Sequence, residues 1–261
     1  MESNCPNCDA VIDGEFCSNC GQRKYKRINK KYIWDEIQYV LLHANKGLLY
    51  SVKNILKNPG RTAREFVEGK RINHYKPILL VFLLSGIAAF ISFKLIGYKE
   101  LMQGIYSQKG IYSDFMGEAL SFSSGYFSFI MLCLIPVFAL FSRIAFRKWG
   151  HNYYEHIVMN AYIISFYTLV EIIVLYPLMY FLKSNVEIIE ILHLLSFCII
   201  PVFLVWFYKG FYKERSIKSV ILKVLLFMLL VFVAYILSVI VFTFSYIGIY
   251  GEEAIQQFQF K

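Results

Sequence analysis

Residues 224–244 read VLLFMLLVFVAYILSVIVFTF and contain no charged side chain. A helix of roughly 20 apolar residues is long enough to cross the hydrocarbon core of a bilayer, which is about 30 Å thick. A surface helix of a soluble protein does not need such a run, because only one of its faces is buried. The stretch therefore predicts a transmembrane helix.

Four similar apolar runs precede it. The composition agrees, since 57% of the residues are apolar and 17% are charged, against about 25% charged in soluble domains. The predicted spans lie near residues 77–97, 122–146, 157–182, 188–208 and 217–248. The fold class is therefore predicted to be an all-α membrane protein, with a helix bundle over residues 77–250 and a tail over residues 251–261.

Four of the apolar runs contain a proline. Pro77 begins the first run, where its missing N–H costs nothing. Three others lie inside the second, third and fourth runs, namely Pro136, Pro177 and Pro201. An internal proline removes a backbone hydrogen bond, so each of these helices is expected to kink.

The basic residues predict the orientation. Of the 27 Lys and Arg residues, 14 precede residue 77, and 22 lie on or near one side if the N-terminus is cytoplasmic. The other side carries the acids Glu187, Glu190, Glu252 and Glu253. Clustered basic residues could also neutralise nucleic-acid phosphates, but cytoplasmic flanks of membrane helices collect Lys and Arg in the same way. The bilayer is thus the expected partner, with the N-terminus inside and the C-terminus outside.

Residues 1–22 form a cysteine-rich head. Its ligands would be the four thiolates of two CxxC pairs, Cys5, Cys8, Cys17 and Cys20. Four thiolates complete the closed tetrahedral shell of structural zinc, and Asp13-Gly14 suggests a hairpin turn between the pairs. No signal peptide opens the chain, so a reducing cytosol favours metal over disulfides. Iron is the main competing metal, and a dithiol redox centre lacks the βαβ context it needs.

Residues 23–76 are predicted to form a basic linker followed by amphipathic interfacial helices. Ile33, Ile37 and Leu41 share one helical face. Leu48, Val52 and Ile55 share another, and residues 23–76 also contain Trp34, Tyr39 and many lysines. Such helices suit the membrane interface. The alternative is a compact bundle packed on the transmembrane core.

Glu171 lies in the middle of the third apolar run. A carboxylate there is costly unless it is neutralised or paired. It could form a proton, ion or substrate site, with His193 as a candidate partner. The alternative is a protonated side chain bonded to a neighbouring helix or to Ser165, Tyr167 or Thr168.

A second polar cluster precedes and begins the third run. His151 and Glu155 are four residues apart, as are His156 and Asn160, so each pair can share a helical face. Two His and a Glu could bind a metal or relay protons. An ordinary polar helix start at the interface is the alternative.

The segment before the first span closely resembles an uncharacterised family of bacterial membrane proteins, a domain of unknown function with an N-terminal zinc ribbon. The resemblance rests on a Lys-Gly, Pro-Gly, Arg-Glu and Gly-Lys-Arg order that ends at a proline. Its positions are Lys46, Gly47, Pro59, Gly60, Arg64, Glu65, Gly69, Lys70, Arg71 and Pro77, with Tyr154-Glu155-His156 as a further feature. Asp9 departs from the glycine common in zinc knuckles. The resemblance implies an inner-membrane location, no established activity, and a functional surface near residues 46–77.

Three functions remain open. The first is a non-enzymatic docking or sensing protein whose head binds a cytosolic protein partner. The second is a transporter-like bundle for lipids or small molecules that uses Glu171. The third is a membrane enzyme with a site near Glu155 and His156, although the chain has no P-loop, GxGxxG, HExxH or GxSxG motif. Substrate, partner and oligomeric state do not follow from the sequence.

Overall fold

The computed structural model describes residues 3–24, 27–33 and 47–250. Within these ranges, five helices are long and apolar enough to cross a membrane, as predicted. These five spans are Pro77–Ile96, Phe115–Ala145, Tyr153–Leu182, Val186–Phe211 and Ile217–Ser245. Several predicted positions lie outside the described residues, namely Trp34, Ile37, Tyr39, Leu41, Lys46 and the tail with Glu252 and Glu253. The protein is an all-α membrane protein.

The caps explain where the spanning helices begin. The second span belongs to helix Asp114–Ala145, which starts before the predicted residue 122 because Ser113 accepts a hydrogen bond from the Met116 N–H at 3.3 Å. Asn185 caps helix Val186–Phe211 in the same way. The last helix runs from Ile217 to Tyr250.

Departures from α-helical geometry do not all follow the prolines. In helix Asp114–Ala145 the irregular backbone lies at Tyr126, whereas Pro136 remains inside the helix. The third span consists of helix Tyr153–Val170, a π-helix at Glu171–Leu175 and helix Tyr176–Leu182, which begins next to Pro177. The first span combines helix Pro77–Ala89 with a π-helix at Phe90–Ile96. The sequence did not predict either π-helix.

The third span is the centre of the bundle. It is the most buried of the five, whereas the fifth span is the least buried. It packs against the first and second spans. Its helix Tyr153–Val170 has a buried polar surface that includes His156 and Asn160. The exposed side chains of the outer spans are mostly apolar, as expected where lipid surrounds the helices.

Within residues 47–76, two short helices lie before the first span. Helix α1 comprises Leu48–Lys57 and helix α2 comprises Pro59–Val67. Asn58 separates them and caps α2, since its Oδ1 accepts the Arg61 N–H at 2.9 Å. Helix α2 packs against the third and fourth spans. Its position matches the alternative in which this segment packs on the transmembrane core.

Gly60 allows the close approach of α2 to the fourth span. A Cβ atom here would overlap the backbone oxygen of Phe207 and lie 2.9 Å from the backbone nitrogen of Phe211. Gly210 faces the same contact, and a Cβ there would lie 2.7 Å from Asn58 Oδ1. The two helices therefore touch through their backbones.

Charged residues distinguish the two ends of the bundle. We call the end that carries residues 47–76, 146–152 and 212–216 the basic end. The connection between the second and third spans contains a 3₁₀ turn at Arg147–Trp149. The opposite end carries helix Tyr98–Gln108, and there Lys109 Nζ lies 2.6 Å from Glu190 Oε1.

Candidate functional site at the head and the basic end

The four head cysteines converge on one point. Their sulfur atoms all lie within 4.8 Å of one another, and the Cys5–Cys20 and Cys8–Cys17 pairs are each 3.6 Å apart. Zinc–thiolate bonds of about 2.3 Å in a tetrahedron give sulfur–sulfur edges of roughly 3.8 Å. Among the described residues, no other group of His, Cys, Asp and Glu is close enough to hold a metal ion. The four cysteines could bind one metal ion.

The two CxxC pairs form two similar turns. Strands β1 (Ser3–Asn4) and β2 (Val11–Ile12) pair across the first turn, where the Cys5 N–H bonds to the Ala10 carbonyl at 2.8 Å. In the second turn the Cys17 N–H bonds to the Gln22 carbonyl at 2.7 Å, beside a Phe16–Arg23 bridge. The pairing thus occurs across each cysteine turn and not at Asp13-Gly14 as predicted, because each pair makes its own tight turn.

Gln22 joins the head to the segment between α2 and the first span. Its Oε1 accepts the backbone N–H groups of Arg71 and Ile72, each at 3.3 Å, and its Nε2 donates to the Gly69 carbonyl. Gln22 is buried. One side chain therefore satisfies three backbone groups that no regular structure would satisfy.

Arg27 makes the second contact between the N-terminal segment and the bundle. Its guanidinium binds the Glu155 carboxylate through two contacts, at 2.9 and 3.0 Å, and donates to the Gly150 carbonyl at 2.9 Å. The Glu155 carboxylate also accepts the Asn152 N–H at 2.7 Å, which completes a capping box at the start of the third span. A bidentate pair of this kind fixes the geometry of both partners.

Arg71 stabilises the end of α2. Its Nε and Nη2 donate to the carbonyls of Phe66 and Val67, at 3.0 and 3.4 Å. Its guanidinium also lies 4.8 Å from the centre of the Tyr32 ring. Arg71 therefore links the segment before the first span to the end of α2 and to Tyr32.

The other charged residues predicted in the 46–77 segment do not form one cluster. Glu65 pairs with Arg61 at 2.9 Å on the surface of α2. Lys70 is exposed. Arg64 Nε lies 3.9 Å from a Glu68 carboxylate oxygen, and Arg64 lines a pocket at the basic end together with His151.

The predicted His and Glu cluster separates into different environments. His151 lies in the connection before the third span, with its ring against Phe211 and Tyr212. Burial lowers the pKa of His151, and the nearby Glu155 carboxylate partly offsets that shift. Glu155 faces Arg27, as described above.

His156 faces into the bundle. His156 Nδ1 lies 3.0 Å from Ser142 Oγ, and Asn160 Nδ2 donates to that oxygen at 2.9 Å. Both His156 and Asn160 are fully buried. Among the described residues, His151, Glu155 and His156 therefore do not form a metal-binding group.

Glu171 begins the π-helix of the third span, away from the basic end. Its carboxyl group interacts with the Tyr176 side chain. Burial raises the pKa of Tyr98 to about 12, and Tyr106, Glu171 and Tyr167 add to that shift. Tyr98, Tyr167 and Tyr176 therefore lie near Glu171.

His193 is not a direct partner of Glu171 among the described residues. Its Nδ1 lies 3.1 Å from the Ile189 carbonyl oxygen, and its ring packs edge-on against Tyr98 at 5.5 Å. Tyr98 therefore packs against His193, and it lies near enough to Glu171 for the carboxyl group to affect its pKa. The Glu171–His193 pairing stays a prediction.

The sequence did not single out Gln22, Arg27 or Ser142 as functional. Gln22 follows the last cysteine directly, and Arg27 is one of several basic linker residues. Their partners are far along the chain, at residues 69–72, 155 and 156. Local patterns contain no signal for such pairs.

Residues 45–89 match the model of a protein family of unknown function, DUF3667. The match covers α1, α2 and the α-helical part of the first span, Pro77–Ala89. It includes the Pro-Gly to Gly-Lys-Arg stretch on which the resemblance in the sequence rests. No curated protein and no solved structure matches the chain. The matched segment, residues 45–89, receives Gln22 of the head and packs on the third and fourth spans.

Proposed function

We propose that the protein is a docking or sensing protein anchored in a membrane by its helix bundle. Its head holds a structural zinc ion and presents a surface to a cytosolic protein partner. The proposal includes a bacterial inner-membrane location, a cytoplasmic N-terminus and an extracytoplasmic C-terminus. The observation that carries it is that Gln22 of the head and Arg27 of the linker both bind the basic end of the bundle.

The attachment matters because it gives the head a defined position. A head on a flexible linker would need no contact with the bundle. This head instead binds residues 69–72, within the segment that matches the family model, through Gln22. Its outer surface carries two exposed apolar side chains, Val11 and Phe16, at 50% and 59% exposure. Apolar side chains of this kind, rimmed by polar residues, suit a protein contact.

The metal would support this role through folding alone. Four thiolates leave no open coordination position, so a substrate could not reach the ion. The head's buried cluster contains little besides the cysteines and Ile12. Metal binding would therefore supply most of its folding energy.

A photo-crosslinking experiment in cells tests the docking function. One variant carries a photoreactive residue in place of Phe16. A second variant carries it in place of Phe232, an exposed residue of the fifth span. We expect a specific protein adduct from position 16 that disappears in Cys17→Ser and persists in Glu171→Gln. If position 16 gives no more protein adduct than position 232, the docking function is wrong.

A second function is favoured by a separate observation. The π-helices of the first and third spans lie in one region, since Phe90–Ile96 packs against helix Tyr176–Leu182 and the Glu171 π-helix contacts the first span. Such π-helical turns are frequent at functional sites. Together with Glu171, they support a bundle that binds a small molecule or a proton.

Native mass spectrometry separates the two functions. An organic adduct that Glu171→Gln removes would support the ligand-binding bundle. Glu190→Gln is the matched control, because Glu190 also lies away from the basic end but its carboxylate is paired with Lys109. The enzyme alternative receives no support, since His151, Glu155 and His156 each contact different groups.

A further inference from the structure

A pocket of about 310 Å³ opens at the basic end, apart from the metal head and from Glu171. Three separate parts of the chain line it. These are Arg64 of α2 with Glu68 just beyond its end, His151 in the connection before the third span, and Phe211 at the end of the fourth span with the loop Tyr212 to Arg215 that follows it. The pocket is thus a product of the tertiary fold.

The lining residues include unsatisfied polar atoms. Arg64 Nε and the Tyr212 hydroxyl are buried and have no hydrogen-bond partner among the described residues. Buried donors without acceptors cost free energy. An oxygen-rich ligand would remove that cost.

The charges of the lining also favour an anion. Arg64, Lys213 and Arg215 are the cations. The two carboxylates, Glu68 and Glu214, have side chains that are 62% and 82% exposed, whereas the Arg64 side chain is 18% exposed. Solvent therefore screens the carboxylates more than it screens Arg64.

The loop that carries two of these cations is held in place. Lys209 Nζ donates to the carbonyls of Lys213 and Arg215, at 2.6 and 2.7 Å. The Arg215 guanidinium lies 5.4 Å from the centre of the Trp149 ring. These contacts fix the conformation of the loop, which lowers the entropic cost of binding a ligand there.

We propose that this pocket binds a phosphate group. Arginine suits the several oxygens of a phosphate because its guanidinium donates in a fixed fork. The pocket adjoins the end of the fourth span at Phe211 and the start of the fifth at Ile217, which is the level of lipid headgroups. The same chemistry serves a phospholipid headgroup or a free phosphate compound.

The test uses the full-length protein in mild detergent and two probes. The first probe is phosphatidylglycerol, compared by native mass spectrometry with diacylglycerol of the same acyl chains. The second is inorganic phosphate, followed by its effect on the thermal unfolding temperature. We expect wild-type protein to retain one phosphatidylglycerol and no diacylglycerol, and Arg64→Gln to bind it about tenfold more weakly.

Arg61→Gln is the matched control. Arg61 lies on the same helix and carries the same charge, but its side chain is 66% exposed and pairs with Glu65 outside the pocket. Arg61→Gln should bind like wild type. Should Arg64→Gln fail to fold, Arg215→Gln and Arg64→Lys take its place, the latter because it keeps the charge and loses the fork.

The outcomes separate the two sources of phosphate. Lipid retention that depends on Arg64 identifies a headgroup site. Thermal stabilisation by inorganic phosphate that depends on Arg64, without lipid retention, identifies a soluble phosphate ligand. If neither probe distinguishes Arg64→Gln from Arg61→Gln, the pocket does not bind phosphate and the proposal is wrong.

Discussion

Asp9 and Gly21 occupy equivalent places in the two cysteine turns of the head. Both have left-handed backbone conformations, with φ of 60° and 73°. Their N–H groups both donate to the first cysteine of their turn, at 2.8 Å. A side chain at such a position costs about 1–2 kcal/mol for most residues, although Asp tolerates it better than most. The departure at Asp9 therefore keeps the turn and adds strain.

The Asp9→Gly and Gly21→Ala variants test this strain. We expect Asp9→Gly to stabilise the metal-bound head by up to about 1 kcal/mol and Gly21→Ala to destabilise it by about 1 kcal/mol. The measurement is the rate at which a coloured chelator removes the metal. Equal rates for both variants and wild type would contradict the interpretation.

His74 shows how burial without a partner creates pH dependence. It is buried beside Tyr50 and Phe66, and its Nδ1 has no hydrogen-bond partner among the described residues. Burial lowers the pKa of His74, and Glu65 partly opposes the shift. The folded state thus favours the neutral ring.

The sign of the effect follows from linkage. Because the folded pKa lies below the unfolded value of about 6.5, stability is fully present above that pH and is lost as pH falls toward the folded pKa. We expect thermal stability to fall by up to about 1.4 kcal/mol per pH unit from this group. His74→Phe should lose less stability on acidification than wild type. Tyr50→Phe, which leaves the imidazole in place, should match wild type.

At the scale of elements, the contact of α2 with the fourth span depends on Gly60. A Cβ there would meet the backbone of Phe207 and Phe211, which cannot move aside like a side chain. Helix α2 would have to shift and lose the burial of Ala63 and Phe66.

We expect Gly60→Ala to lower the free energy of unfolding by about 1–3 kcal/mol or more, although alanine has the higher helix propensity. Thermal unfolding in detergent measures the change. Gly104→Ala is the control, since it lies in helix Tyr98–Gln108 with nothing within 4 Å of the added Cβ. A neutral Gly60→Ala would show that the two helices are farther apart than described.

The secondary structure of these elements was predictable where the signal was local. Asn58-Pro59-Gly60 marks the boundary between α1 and α2, because a capping residue followed by proline starts a helix. The π-helices at Phe90–Ile96 and Glu171–Leu175 were not predictable. A π-helix adds one residue to a turn and rotates the faces that follow, but a span that is apolar on all sides has no periodicity to record that rotation.

At the scale of the whole molecule, the head and the bundle have separate sources of stability. The head's cluster rests on the cysteines, and the bundle has its own apolar core around the third span. Their described connections include Gln22 and Arg27, which contribute polar contacts. Loss of metal should therefore unfold the head and leave the bundle folded.

We expect a chelator with reductant to release the metal and to lower the unfolding temperature of the bundle by no more than about 5 °C. Metal content and unfolding temperature are measured on the same sample. The double variant Cys133→Ser and Cys198→Ser is the control, since both cysteines are exposed on spans and should leave metal content unchanged. Collapse of the bundle on metal removal would show that the head supports the whole fold.

The sequence by itself determined the membrane class, the five apolar helices and the four cysteines that could hold a metal ion. Each rests on residues close together in the chain, since a span needs one apolar run and a metal turn needs two cysteines three residues apart. Only the tertiary structure decided that Gln22 binds residues 69–72, that Arg27 binds Glu155, and that Arg64, His151 and Arg215 line one pocket. These pairs are set by how helices pack, and the packing depends on shape at backbone contacts such as Gly60 with Phe207. A pattern along the chain records which faces are apolar, but it does not record which faces meet.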